Sequence, residues 1–437
     1  MAKKHSEQVK NAVLYQINLR AYTPEGTLRA AAAHLNEAAA TGADVVYLCP
    51  FVEADNDPDP ANWSPRQHKS CCMNSRNPYR QKDYFKVDPE YGCDEDLLFF
   101  VETAHKLGLK VMFDLVYLHA GPSFGKAHPD FVQKNGDGSL KCNEYNFLLI
   151  DFSNPDTREY LWGNMEYFVR KFDIDGYRCD VGFEIPLDFW VEGARRVRKI
   201  KPGFLMLNEG AVSFRKEDQD EAFDINYLFH WDWNMRDFFL TGMPVDSLRR
   251  AWHDAHDADP DAVNLMIVEN HDTANDSYNR RPGTAGKDKY DAALALCFAI
   301  DGVPMLYNGC EYCDCARHSI FARKGTLFVD RSGDPSERSA FLRDLAALHR
   351  TENALRDGKT IWIDHPFKED ILIFKRDCGS EKILFAVNLG NTGHTVCLPE
   401  LAAFSGGKEL LMQRCRWEEN ALDLEANGFA MVKISAC

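Results

Sequence analysis

Arg178 and Asp180 stand two residues apart in the segment IDGYRCDVGF, residues 174–183. In an extended strand, residues two apart share a face. The guanidinium and the carboxylate therefore point together, while Tyr177 and Cys179 point the other way. A cation within a few ångströms holds a carboxylate ionised, and such a carboxylate in a partly dry pocket can serve as a nucleophile. Glu209 follows the apolar run FLML. Desolvation there raises its pKa and keeps it protonated near neutrality, as a general acid requires. Two carboxyl groups tuned in opposite senses are what retaining glycoside cleavage needs. Asp114 and His119 end a third apolar segment, and Glu269, Asn270, His271 and Asp272 end a fourth. His271 and Asp272 have the chemistry to grip sugar hydroxyls. Taken singly, an Arg–Asp pair is most often a structural ion pair and a histidine a satisfied core residue. Convergence on one mouth is what would give them a joint task.

That convergence depends on the elements that carry them. Short apolar runs alternate with longer helical patterns. The strands read as 12–19, 43–51, 110–119, 175–181, 203–210, 221–229, 263–272 and 302–309, with helices at 26–42, 94–109, 156–172 and 187–200. Eight β/α alternations predict a closed (β/α)8 barrel rather than an open doubly wound sheet. No glycine-rich phosphate fingerprint follows the first strand, which weakens a nucleotide-binding reading. The polar residues above all sit at C-terminal strand ends, where such barrels build their active sites. Two excursions, 52–93 and 120–154, leave the same ends. A helix at 336–358 closes the barrel, and alternating short strands follow. The expected organisation is a catalytic barrel over 1–119 and 155–357, a short insertion over 120–154 after strand three, and a C-terminal antiparallel β-sandwich over 358–437.

The 437 residues carry a formal net charge of −16, with 45% hydrophobic and 27% charged residues. This balance disfavours nucleic acid and anionic membranes as partners and suits a neutral substrate. There is no run of 18 apolar residues, hence no expected transmembrane helix. The first residues lack the apolar core of a signal peptide. With 14 cysteines in a chain of this size, free cytoplasmic thiols are expected, unless a signal was removed from a secreted form. The cluster Cys310, Cys313, Cys315 and the pair Cys71–Cys72 match no common zinc spacing.

Carried on these strands, the motifs resemble those of the α-amylase family of glycoside hydrolases, family thirteen, over nearly the whole chain. DGYRCD resembles that family's G-x-R-x-D motif, which implies Asp180 as nucleophile and Arg178 as its partner. LNEG implies Glu209 as acid/base. VENHDT implies Asp272 as transition-state stabiliser and His271 as a hydroxyl ligand. DLVYLH matches through Asp114 and His119. NPYRQKDYFKVDPEYG is similar to the segment carrying a sugar-stacking tyrosine, here Tyr79.

Several departures bear on use. Leu118 stands where the family has a calcium-binding asparagine and offers no oxygen ligand, which puts the structural calcium that the resemblance allows in doubt; no cofactor is expected to be required. Val181, Gly182 and Phe183 replace the Lys-His region of many starch-degrading members, and Pro78 replaces a glycine. The resemblance implies retaining hydrolysis of α-glucosidic bonds, foremost α-1,4, in malto-oligosaccharides or related α-glucans, with the two carboxyl groups about 5–5.5 Å apart. Trp63 and Tyr145, on the excursions, are candidate platforms for outer sugars. The same residues would serve an α-glucosyl transferase. A barrel that had lost activity would bind sugar only, and the full set Arg178, Asp180, Glu209, His271 and Asp272 argues against that.

Overall fold

The computed structural model describes residues 7–275 and 280–435. Eight parallel strands close into a barrel: β1 (Leu14–Ile17), β2 (Val45–Leu48), β3 (Lys110–Leu115), β4 (Gly176–Cys179), β5 (Leu205–Asn208), β6 (Ile225–Tyr227), β7 (Asn264–Ile267) and β8 (Val303–Tyr307). Each pairs with its sequence neighbour, and β1 pairs with β8. The strands are shorter than the sequence pattern suggests, because apolar runs continue into the loops that carry the polar residues.

Side-chain parity sorts the barrel into two cores. Leu14, Val45, Tyr47, Met112, Leu207 and Ile267 pack inside it. Tyr15, Val46, Phe113, Tyr177, Cys179 and Met206 pack outward against the helices. Tyr177 donates its hydroxyl to the Met165 carbonyl at 2.7 Å, within the helix Pro155–Phe172. The inward parity thus belongs to Gly176, Arg178 and Asp180. In register, Asp114 lies beside Arg178 and Cys179 beside Asn208, so the polar ends of β3, β4 and β5 are adjacent.

The helix expected over 26–42 is two short pieces, Leu28–Ala32 and Leu35–Ala40. The Tyr22 hydroxyl binds the His34 carbonyl at 2.9 Å where the chain breaks between them. The first excursion folds as a two-stranded ribbon, Ala54–Asn56 with Arg76–Gln81, which carries Tyr79. The second is pinned at its base by His119–Ala120 pairing with Leu148–Leu149.

Beyond the helix Ser336–Thr351 and the short helix Asn353–Asp357, the C-terminal region forms one bent antiparallel sheet of six strands. These are β9 (Lys359–Trp362), β10 (Ile371–Asp377), β11 (Glu381–Asn388), β12 (His394–Cys397), β13 (Lys408–Glu418) and β14 (Ala421–Ser435). β14 pairs with β13 along its length, while its other edge passes from β12 to β11. The changeover lies at Asn427, in a left-handed conformation, and Gly428, where a Cβ would meet the Arg414 carbonyl oxygen at 2.2 Å. Only glycine permits that approach. One face of the sheet encloses its own core of Ile371, Ile373, Leu384, Val396 and Val432, and the other joins the barrel core through Phe374, Phe385 and Phe429.

A Cβ at Gly176 would lie 2.9 Å from the Leu205 carbonyl oxygen and 3.0 Å from Met112 Cε. Gly176→Ala should therefore lower unfolding free energy by about 1–3 kcal/mol through overpacking. Denaturant titration checks this, and wild-type stability would refute the tight fit.

Candidate active site

At the top of β4, Arg178 is fully buried and contacts three carboxylates. Its Nη1 lies 2.7 Å from Asp114 Oδ1 and 2.8 Å from Asp180 Oδ1, and its Nη2 lies 2.6 Å from Glu209 Oε1. This revises the expectation that Arg178 holds Asp180 ionised while Glu209 alone is raised, because the one cation is shared and both carboxyl groups are pushed up. One cation facing three ionised carboxylates would leave two negative charges uncompensated in a dry place, which is costly. Burial first, then the neighbouring Glu209, pushes Asp180 well above the usual carboxylate range despite Arg178. Burial also raises Glu209, with Arg178 opposing and Asp272 adding to the rise. Both carboxyl groups therefore hold protons more tightly than free ones.

The oxygens of the two groups are used unequally. Asp180 Oδ1 is held by Arg178, while Oδ2 has no hydrogen-bond partner and lies 4.0 Å from His119 Nε2. Both oxygens of Glu209 are engaged, Oε1 by Arg178 and Oε2 by the Val181 N–H at 2.8 Å. Val181 reaches that position with φ of 46°. A β-branched residue with positive φ is a strained outlier, so the turn after Asp180 is bent at a cost that delivers an N–H to Glu209.

Across the mouth, Arg66 Nη1 lies 2.8 Å from Asp272 Oδ1. Burial acts to raise Asp272, but Arg66, His271 and Arg178 together hold it well below the usual range. Tyr79 stacks on His271 with centroids 5.9 Å apart and planes 10° apart, and its hydroxyl is 2.5 Å from Nε2. His119 is buried, and its pKa is pushed down to about 3 by that burial against an opposing contact with the Tyr79 backbone. It stacks on Phe147 at 4.4 Å, and Phe147 stacks on Tyr145 at 6.3 Å, making an aromatic wall from Asp180 out to solvent.

These groups border a cavity of about 520 Å³. Tyr79, His119, Asp180, Glu209, His271 and Asp272 all line it. Arg178 and Asp114 lie beneath the lining. Asp114 takes hydrogen bonds from Tyr47 at 2.6 Å and Tyr79 at 3.4 Å, so it braces the wall. Tyr145 lines the cavity with 40% of its surface exposed. Trp63, expected as a second platform, is instead buried, with its Nε1 donating to the Asp57 carbonyl at 2.8 Å. Its apolar body packs rather than presents a face. Glu269 is drawn away by Arg280 at 2.6 Å and the Tyr290 hydroxyl at 2.8 Å. Three residues outside the sequence motifs also matter here: Gln16, Tyr47 and Arg66. A glutamine at an inward position of an apolar strand was a readable signal. Arg66 sits in the first excursion, where no periodicity marks it.

Leu118 lines the cavity. Among the described residues, no group of three or more His, Cys, Asp or Glu side chains is arranged to hold a metal ion, the described cysteines are unpaired, and no helix is long and apolar enough to cross a membrane.

A closed parallel barrel with a carboxylate-lined cavity at its C-terminal mouth defines the class of (β/α)8 barrels with a site at the strand ends. The profile of the α-amylase catalytic domain matches residues 6–145. A cyclomaltodextrinase of Geobacillus thermopakistaniensis is 27% identical over 86% of this chain and 64% of its own length. The intracellular maltogenic amylase of Bacillus subtilis is 27% identical over 82% of this chain and 61% of its own. The chain thus spans somewhat under two thirds of both relatives. An α-amylase structure from Lactobacillus plantarum superposes with a TM-score of 0.80 at 23% identity, covering 98% of this chain and 100% of that one, and this likeness shows the fold. Over residues 6–145 the chain therefore matches the α-amylase catalytic domain, and over most of its length it is similar to these two relatives.

Removing the bridging cation should expose its electrostatic weight. Arg178→Met should lower stability by about 3–5 kcal/mol at neutral pH, as loss of one partner of a buried ion pair does. Without the cation the carboxyl pKa values rise further, so the folded state keeps protons the unfolded chain has released. The deficit should then grow as pH rises and shrink toward pH 5. Urea unfolding of both proteins across that range measures it, and a pH-independent deficit would contradict the ion-pair account.

Proposed function

We propose that this protein is a retaining glycoside hydrolase that opens α-glucosidic bonds, foremost α-1,4, in malto-oligosaccharides and related α-glucans. The observation that carries the reading is Asp180 Oδ2. It is a buried carboxylate oxygen without a partner, facing the cavity beside Glu209, while its twin is held by Arg178. The two relatives, one acting on cyclic maltodextrins by its name and the other a maltogenic amylase, support the substrate class.

In this reading Oδ2 attacks the anomeric carbon and a covalent glycosyl-enzyme forms. Glu209 delivers the proton held by the carboxyl pair to the departing glycosidic oxygen. Glu209 then takes a proton from water, and the water oxygen displaces Asp180, giving net retention. Arg178 compensates charge on Asp180 and Glu209 as it moves between them. Asp272, held ionised by Arg66, faces the positive charge that develops on the sugar ring. Tyr79 offers a ring face, and His119 and His271 offer ring nitrogens to hydroxyls. No cofactor enters any step. With leucine at 118, treatment with a chelator should leave activity and melting temperature unchanged.

A second reading, transfer of the glycosyl unit to another sugar, is favoured by one feature. Phe183 packs on Phe214 at 5.0 Å, and Phe214, Phe229 and Trp233 stack in succession at 5.7 and 5.6 Å beside the turn that carries Val181 and Glu184. Trp233 keeps 43% exposure and Phe214 41%. Such a surface could retain an acceptor sugar where water would otherwise enter.

Incubation with malto-oligosaccharides, pullulan, isomaltose, trehalose and sucrose, with and without acceptor sugars, separates the two readings by their products. Asp180→Ala should abolish turnover with the fold intact, and Glu209→Gln should lose about 10²–10⁴-fold in rate. Full activity in the Asp180 variant would end this account.

A further inference from the structure

Gln16 is fully buried on the inward face of β1, away from the cavity lining. Its side chain reaches across to the turn after β7. Oε1 accepts the His271 backbone N–H at 2.9 Å, and Nε2 lies 2.8 Å from His271 Nδ1. A backbone N–H can only donate, so that contact identifies the amide oxygen, and the other end of the amide is an NH2 that can only donate. Nδ1 is therefore an acceptor and carries no proton. A neutral imidazole with bare Nδ1 carries its proton on Nε2. Nε2 is the nitrogen 2.5 Å from the Tyr79 hydroxyl, which must accept there and turn its own proton toward Asp114 Oδ2 at 3.4 Å. Asp114 ends the chain, taking Tyr47 on the same oxygen and Arg178 on the other. The side-chain donors of Gln16, His271 and Tyr79 run in one direction, from β1 to the arginine-bound carboxylate.

We propose that Gln16 is a positioning residue that locks His271 as the neutral Nε2–H tautomer, so that the ring faces the cavity only as a hydrogen-bond donor, its one proton shared between the Tyr79 hydroxyl and a bound sugar, and never as an acceptor. The proposal rests on the sugar-cleaving reading above. The lock is set by the backbone: turning the amide over to accept from a protonated Nδ1 would aim its NH2 at the His271 N–H. The charged and titratable groups facing the ring are Asp272, 3.6 Å from Nε2, with Asp114, Arg178, Arg66 and the stacked Tyr79. Burial lowers the ring's pKa, with the carboxylates pulling it up and the arginines down. Gln16 adds a donor that opposes protonation at Nδ1.

Two substitutions separate this role from simple packing. Gln16→Leu removes both bonds and should lower kcat/KM about tenfold, the weight of one hydrogen bond. Gln16→Glu keeps the size but has no donor. It can accept both the backbone N–H and a proton on Nδ1, which raises the ring's pKa. Below that pKa both nitrogens carry protons and the donor to the sugar survives. As pH rises through it, the proton stays on Nδ1 and Nε2 becomes an acceptor. The Gln16→Glu enzyme should therefore lose kcat/KM with rising pH across a step the wild type lacks.

Nitrogen-15 NMR of histidine-labelled protein reads the tautomer directly, with His271 assigned by its loss in His271→Asn. The wild type should show an unprotonated Nδ1 and a protonated Nε2, and Gln16→Glu a protonated Nδ1. A protonated Nδ1 in the wild type overturns the proposal even if the variants fail to fold, as does a Gln16→Glu pH profile that superimposes on the wild type. If the tautomer is as expected but no α-glucan is turned over, it is the functional reading that fails.

Discussion

One guanidinium facing three buried carboxylates is the constraint from which the rest of this site follows. Arg178 is out of water among the carboxyl groups of Asp114, Asp180 and Glu209, and it opposes the rise that burial imposes on Asp180 and Glu209. The cluster is short of positive charge, and burial makes that shortage expensive. It is relieved by holding protons on the Asp180–Glu209 pair, whose carboxyl groups are both raised. The hydrogen bonds also divide the labour among oxygens. Arg178 immobilises one oxygen of Asp180 and leaves the other bare, while both oxygens of Glu209 are tied. A free nucleophilic oxygen and a proton in reserve arise from the same imbalance.

The barrel supplies the geometry. Parallel strands in register put Asp114 beside Arg178, and the inward parity of β4 repeats two residues later at Asp180. The interior below is filled by Leu14, Val45, Met112 and Leu207, so the polar groups sit on an apolar floor that excludes water. The loops do the remaining work. The first excursion brings Tyr79 and Arg66 to the mouth, and the second brings Phe147 and Tyr145. The opposite pole of charge, Asp272 with Arg66, is thus built partly from a loop that is remote in sequence.

Much of this was legible from residue types alone. Strict alternation in YRCD assigned Arg178 and Asp180 to one face, because a strand has only two faces. Eight alternating apolar runs pointed to a closed barrel. The strands are shorter than the apolar runs, since residues such as Val116 and Val268 continue past the ladder into loops. The alanine-rich segment 28–40 is helical in composition, yet its break is set by a tertiary contact to Tyr22. Trp63 and Tyr145 looked alike as loop aromatics. Only the fold shows that one is held by the Asp57 carbonyl and the other faces the cavity. The sharing of Arg178 among three carboxylates was also out of reach, because it depends on side chains from three strands meeting at one guanidinium.

The account's central claim is that the free oxygen of Asp180 forms the bond to the sugar. Reaction with an activated fluorosugar that forms a glycosyl-enzyme quickly and loses it slowly, followed by peptide mass spectrometry, tests this most directly. The expected result is a single sugar mass added to the peptide containing Asp180, and none in Asp180→Ala. A label on Glu209 or Asp272, or rapid turnover with inversion and no label at all, would contradict it.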